Sequence, residues 1–266
     1  MTMDPGAAWR FRPLGGGGGG AEETGSLGAP PADPTPGVRS LDEALGAPPK
    51  FPQAVIGLFG AAKRLLGSWA PAHRARLLPP PAPAALLDGS AALWPDLQEA
   101  GDAVLVIPSL ERCFLRHPHG LRLLRRLIES TWGRPGRLLL GCDAWAWTYL
   151  RHAIDLGALC PAPVTAPALL AVPADPDPPL PELAPRAKEF RLQAYVLHAL
   201  LIHDGLPAAL LPPLLPFRAT QILQALAGLR DARLAFEKDG LWRVSPRHYA
   251  DLRRRLAAAE FWVADP

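Results

Sequence analysis

The chain has 266 residues, 49% apolar and 20% charged, with 33 prolines and 24 glycines clustered rather than spread. That length supports a sizeable core in one or two domains, and the composition excludes a collagen-like fibre, a disulfide-stapled mini-domain and a polytopic membrane protein. The net charge of +3 comes mainly from residues 186–266, which carry twelve basic and eight acidic side chains, too small a surplus to specify a nucleic-acid partner by itself.

Residues 1–50 contain six consecutive glycines, Gly15 to Gly20, among repeated Pro and Ala. Such a segment buries too little to offset its ordering entropy, so it reads as a disordered arm. It holds no apolar run suited to a signal-peptide core. Three cysteines without a CxxC pair, Cys113, Cys142 and Cys160, suit buried thiols in a reducing compartment. The most apolar stretch, 194–217, is interrupted by His198, His203, Asp204 and several prolines, which argues against a membrane span. A cytoplasmic location is the simplest expectation.

From residue 51 onward, short apolar runs alternate with helical patterns. Ala54-Val55-Ile56 predicts a strand, and 62–69 a helix. The tract Pro79-Pro80-Pro81-Ala82-Pro83 predicts a loop or stiff spacer. Val104 to Ile107 is a continuous apolar run, as in a strand buried on both faces. After Gly120, a helix is expected with Leu121, Leu124, Leu127 and Ile128 inward and Arg122, Arg125, Arg126 and Glu129 outward. Arg137 to Leu140 predicts a further strand and Ala144 to Leu156 a helix. This alternation favours a parallel α/β sheet over residues 51–172. Residues 173–185 hold six prolines in thirteen positions and form the best domain boundary.

Over 186–266 the pattern changes. Phe190, Ala194, Leu197 and Leu201 fall on one helix face, with Gly205 as a terminator. A second helix over 218–229 is expected to bury Ile222, Leu223, Leu226 and Leu229. Asp239-Gly240 between the apolar runs 232–236 and 241–244 predicts a hairpin. A last helix is expected near 247–259. Helices followed by a two-stranded wing are the order of a winged-helix domain.

Three segments could carry chemistry, each at a strand end. Gly57-Leu-Phe-Gly60-Ala-Ala62-Lys63-Arg64 follows a strand and opens a helix. A phosphate-binding GxxxxGK[ST] loop needs that setting, because backbone N–H groups cradle the phosphates, the lysine reaches the outer ones and the hydroxyl holds magnesium. Gly57 and Lys63 keep the spacing, whereas Ala62 replaces the last glycine and Arg64 the hydroxyl. The alternative is a plain helix start with a surface Lys-Arg pair. At the second strand, Pro108 and Ser109 stand where magnesium-holding and water-activating acids would follow. Glu111 either reaches inward from there or forms a surface salt bridge. At the third, Asp143 suits a sensor position or a helix N-cap, the cap being the simpler role.

The order of weak phosphate loop, IPSLERCFLRHPHGLRLLRRL, RLLLGCDAWAWTYL and trailing winged helix resembles a P-loop ATPase of the AAA+ kind. The architectural likeness is to origin-recognition-like and signalling ATPases, where a winged helix follows the nucleotide domain. The resemblance spans about residues 51–266. It implies a reduced P-loop NTPase-like sheet with ATP as a possible ligand at Gly57, Gly60, Lys63 and Arg64, and Asp143 as the sensor. With no magnesium hydroxyl and no first acid, little or no hydrolysis is expected.

Cys113, His117 and His119 have no matching second cluster, and Pro118 lies between the two histidines, so no metal is expected. On the second module, Arg218, Gln221 and Gln224 could read DNA base edges, with Thr220 and Arg230 nearby. Glu237 and Asp239 at the wing tip oppose phosphate. The leading expectation is a nucleotide-sensing or nucleotide-independent regulatory scaffold with a protein partner. The rival is a winged-helix DNA-binding regulator whose α/β part dimerises.

Overall fold

The computed structural model describes residues 41, 51–81, 83–88, 100–133, 136–166, 187–258 and 260–261. The described residues from 51 onward belong to one unit, Ala47–Pro266, which carries both the sheet and the helical C-terminal part. Apart from residue 41, the expected arm lies outside the described residues, as does the whole of the expected linker.

Five parallel strands form the sheet: β1 (Gln53–Gly57), β2 (Arg76–Leu77), β3 (Leu105–Ile107), β4 (Leu138–Asp143) and β5 (Val164–Thr165), in the spatial order β2-β3-β4-β1-β5. The architecture is α/β. The apolar runs of β3 and β4 are buried throughout, as continuous runs in a two-faced sheet must be. β2 and β5 are edge strands of two residues each, too short to leave a periodic signal in the sequence. Register sets Gly57 beside Asp143 and Ile107 beside Leu140, so the tips of β1, β4 and β3 stand side by side. The connection leaving β1 runs one way along the sheet and that leaving β4 runs the other. In open α/β sheets ligand crevices lie at such a reversal, at the carboxyl ends of the strands.

Helix α1 (Ala61–Ala72) lies against β1, β2 and β4. Past β2 comes the short α2 (Pro83–Asp88), and past β3 a 3₁₀ turn at Leu110–Arg112. Helices α3 (Pro118–Ser130), α4 (Ala144–Ile154) and α5 (Leu156–Leu159) pack on one another. α3 begins at Pro118, earlier than Gly120 suggested, because proline at the first helical position loses no intrahelical bond. Its inward face holds Gly120, Leu124, Leu127 and Ile128, with Leu121 only half-buried. α4 stops at Ile154, where Asp155 turns left-handed at φ 57°.

The C-terminal part runs α6 (Ala187–Ile202), α7 (Leu211–Leu214), α8 (Ala219–Asp231), β6 (Ala235–Lys238), β7 (Leu241–Val244) and α9 (Tyr249–Ala258). Leu206 bridges Trp242 in an antiparallel contact beside the two-stranded sheet. The hairpin turns through Asp239 at φ 55° and Gly240 at φ 73°, the positive pair that a tight two-residue turn demands. α6 ends at Ile202, before Asp204, and Gly205 at φ +93° carries the reversal that follows. Val196 and Leu200 are buried as well as Ala194, Leu197 and Leu201, because α6 lies between α8 on one side and α4 of the sheet layer on the other. In α8, Ile222, Ala225, Leu226 and Leu229 face inward, but Leu223 is 55% exposed. It follows Ile222 by one residue and so points about 100° round the helix from it. The last helix begins at Tyr249, after a 3₁₀ turn at Pro246–His248.

All three cysteines are buried free thiols. No helix of the described residues is long and apolar enough to cross a membrane.

Candidate functional site at the strand tips

Strand β1 passes into α1 through Leu58, Phe59 and Gly60. Phe59 and Gly60 both adopt left-handed backbone, at φ 50° and 75°, so the chain turns sharply and Ala61 already begins the helix. A side chain on Gly57 would put its Cβ 2.8 Å from the Ala62 nitrogen and from the Ala61 Cβ, so glycine is required where the strand meets the helix. The loop is therefore tighter than the GxxxxGK spacing suggests, and Ala62 lies inside the first helical turn, buried. Lys63 is half-buried. Burial lowers its pKa below the ordinary lysine range, and Arg112 adds to that, while Asp204 and Glu111 oppose. Arg64 is exposed and donates from Nη2 to the Phe59 carbonyl at 3.1 Å, securing the loop from outside. No hydroxyl stands at that position.

At the tip of β3 the chain turns through Ser109 into the 3₁₀ turn, and Glu111 turns inward to become almost wholly buried. Its Oε1 accepts from the Ser109 hydroxyl at 2.5 Å and its Oε2 from the Asp143 N–H at 3.2 Å. Burial raises its pKa. Asp143, at the tip of β4, is the N-cap of α4, accepting from the Trp145 N–H at 3.0 Å, as the simpler sequence reading held. Burial, reinforced by neighbouring Glu111, pushes its carboxyl up to about 8, although the Trp145 and Gly60 N–H groups stabilise the ionised form. The structure brings together Gly57, Gly60, Lys63, Glu111 and Asp143, and leaves Arg64 on the outside.

The C-terminal part closes over these tips. His203 lies fully buried just beyond α6. Its Nε2 accepts from the Arg116 N–H at 3.2 Å, which makes the other ring nitrogen the donor to the Glu111 carbonyl at 3.1 Å. Burial holds it neutral, with a pKa down to about 4. Asp204 pairs with Arg112 at 3.3 Å. Tyr249 sets its ring edge-to-face against both Phe59 of the loop and Trp145, each at 5.4 Å. The buried guanidinium of Arg116 sits over the rings of Tyr195, Phe261 and Tyr149 at 5.2–5.9 Å, joining α4, α6 and the chain beyond α9. What remains over the loop is a cavity of about 150 Å³, lined by Phe59, Asp143, Trp145, Asp204, Gly205 and Arg243 among others. That is about half the lower end of the usual range for small-molecule pockets.

Magnesium does not fit this donor set: both oxygens of Glu111 already accept hydrogen bonds, Asp143 is used to cap α4, and no hydroxyl follows Lys63. Cys113 is buried, with its Sγ toward the Ser109 carbonyl, whereas His117 and His119 stack at the start of α3. Among the described residues, no three metal-binding side chains converge. Arg218, Gln221 and Gln224 are exposed at α8 and line none of the cavity at the tips. Gln221 is spent on structure, its Oε1 accepting from the Arg218 N–H at 3.1 Å to cap the helix.

His203, Asp204, Arg243 and Tyr249 were not legible as site residues. They lie far along the chain from the strands they meet, and no local spacing marks them. No protein-family model, curated protein or solved structure matches this chain.

Proposed function

We propose that this protein is a regulatory scaffold of degenerate P-loop ATPase type, in which a phosphate-bearing ligand such as a nucleotide at the strand tips controls the docking of a winged-helix module. The observation that carries this reading is the closure of residues 203–249 over the tips of β1, β3 and β4. A ligand that entered there would have to displace the module, so occupancy and module position are coupled. Gly60, where a Cβ would meet nothing within 4 Å, would let the backbone approach an anion, the first-turn N–H groups of α1 would face it, and Lys63 would supply charge. Arg112 and Arg243 are further cations near Lys63. Asp143 would exchange its bond from Gly60 for the ligand. Hydrolysis is not part of the reading, since nothing at the tips suits magnesium. A cytoplasmic protein with a protein partner accords with it, the partner meeting the module when it is released.

Titration calorimetry of the full chain with ATP and ADP, with and without magnesium, tests this. Tyr249→Ala, which loosens the cover, is expected to bind more tightly than wild type, and adding Lys63→Ala should abolish the heat. No heat from any folded variant would overturn nucleotide sensing, and equal affinity in wild type and Tyr249→Ala would overturn the coupling. The rival reading, DNA contact through Arg218 and Gln224, predicts salt-dependent DNA binding lost on replacing both.

A further inference from the structure

A second and larger cavity, of about 310 Å³, lies where the sheet layer meets the C-terminal part. One wall is made by Leu86 of α2 with Phe114 and Leu115 after the 3₁₀ turn, and the other by Leu206, Leu210 and Leu241. Its volume falls within the range of small-molecule pockets, and such pockets favour the junction of two modules.

Three polar side chains reach its wall: Glu111, Arg112 and His203. Each already has its partners within the chain. Glu111 holds Ser109 and the Asp143 N–H, Arg112 holds Asp204, and His203 joins the Arg116 N–H to the Glu111 carbonyl. None of the three leaves a buried polar atom unpaired. Most of the lining is apolar, so water inside the cavity would find few hydrogen bonds, and Arg112, the cation at the wall, is already paired with Asp204. An apolar ligand would need no such partner and would cover both leucine-rich walls.

We propose that this cavity is a binding site for a small, neutral, apolar molecule, of the alkyl or aromatic-ring class, which on binding holds the C-terminal module against the sheet. The cavity shares Glu111, Arg112, His203 and Gly205 with the strand-tip region, but its occupation does not require a nucleotide there. Because the ligand touches walls from both modules, it favours the closed arrangement over any open one and raises the unfolding temperature with its concentration.

The test uses the full chain and the neutral fluorophore N-phenyl-1-naphthylamine. Saturable one-to-one binding is expected, with a Tm that climbs as the probe is added. Leu210→Trp and Leu241→Trp, both at half-buried wall positions, fill the volume the probe needs and should each weaken binding about tenfold or more. Leu223→Ser, which removes an exposed leucine of α8 away from the cavity, should leave it unchanged. Circular dichroism identifies which variants fold. The proposal is overturned if the folded wild-type chain gives no saturable signal, if folded wall variants bind as wild type does, or if Leu223→Ser removes the signal.

Discussion

The C-terminal module presents two surfaces of opposite character. Toward the strand tips it directs His203, Asp204 and Tyr249, and each meets a named partner: the 3₁₀ turn, Arg112, and the rings of Phe59 and Trp145. Toward solvent it carries Arg218, Leu223 and Gln224, all exposed. The inner surface uses its polar groups as a register, since a buried donor or acceptor tolerates only the geometry that satisfies it. The outer surface has no such constraint. The contrast separates a surface held in one geometry by its buried polar contacts from one whose side chains face solvent.

The largest expected effect is on the inner surface. His203→Ala leaves the Arg116 N–H and the Glu111 carbonyl buried without their partner, at a cost of about 2–4 kcal/mol in urea denaturation. A loss near that of an exposed substitution would mean that the histidine does not register the module.

A smaller effect is expected from pH. Asp143 has a folded pKa of about 8 against an ordinary 3.8, so the folded state holds a proton that the unfolded chain has released. The associated stability is full below 3.8 and lost as pH rises toward 8. Glu111, also raised, acts in the same direction above its ordinary 4.5. His203, lowered to about 4 from 6.5, acts oppositely, its stability present above 6.5 and lost as pH falls toward 4. Asp143, with its folded pKa of about 8, has a contribution to wild-type stability that should fall as pH rises from 6.5 to 8. Asp143→Asn keeps the cap and should flatten the fall; parallel profiles for the two proteins would contradict the assignment.

The smallest effect belongs to the outer surface. Replacing Arg218 and Gln224 together by alanine should change stability by no more than about 0.5 kcal/mol, read by the same denaturation. A larger loss would show that this surface is structural, and the two surfaces would no longer differ as described.

Much of the fold was legible where the period of the chain matched its burial. Val104 to Ile107 and Arg137 to Leu140 lie at β3 and β4 because a strand covered on both faces leaves an unbroken apolar run. Asp239-Gly240 marked its hairpin because few other residues tolerate two consecutive positive φ values. Leu223 departs from the expected buried set because hydrophobicity alone does not place a residue on the inward face, and its helical position faces solvent. Of the candidate site, Gly57, Gly60, Lys63 and Asp143 could be found, because each lies within a few residues of a strand end. Glu111 could only be named as a residue with two possible orientations. Its inward turn depends on the Ser109 hydroxyl, the Asp143 N–H and a histidine 92 residues away.

By itself the sequence determined the α/β alternation, the strand-to-helix loop carrying Lys63, the cap at Asp143 and the hairpin of the C-terminal module, since each follows from local backbone preference or periodic burial. Only the tertiary structure decided the strand order, the closure of the module over the strand tips, the upward shift of the Asp143 carboxyl and the two cavities described. Those depend on which residues remote in sequence share a low-dielectric interior, and the desolvation that shifts Asp143 and neutralises His203 exists only once the modules meet.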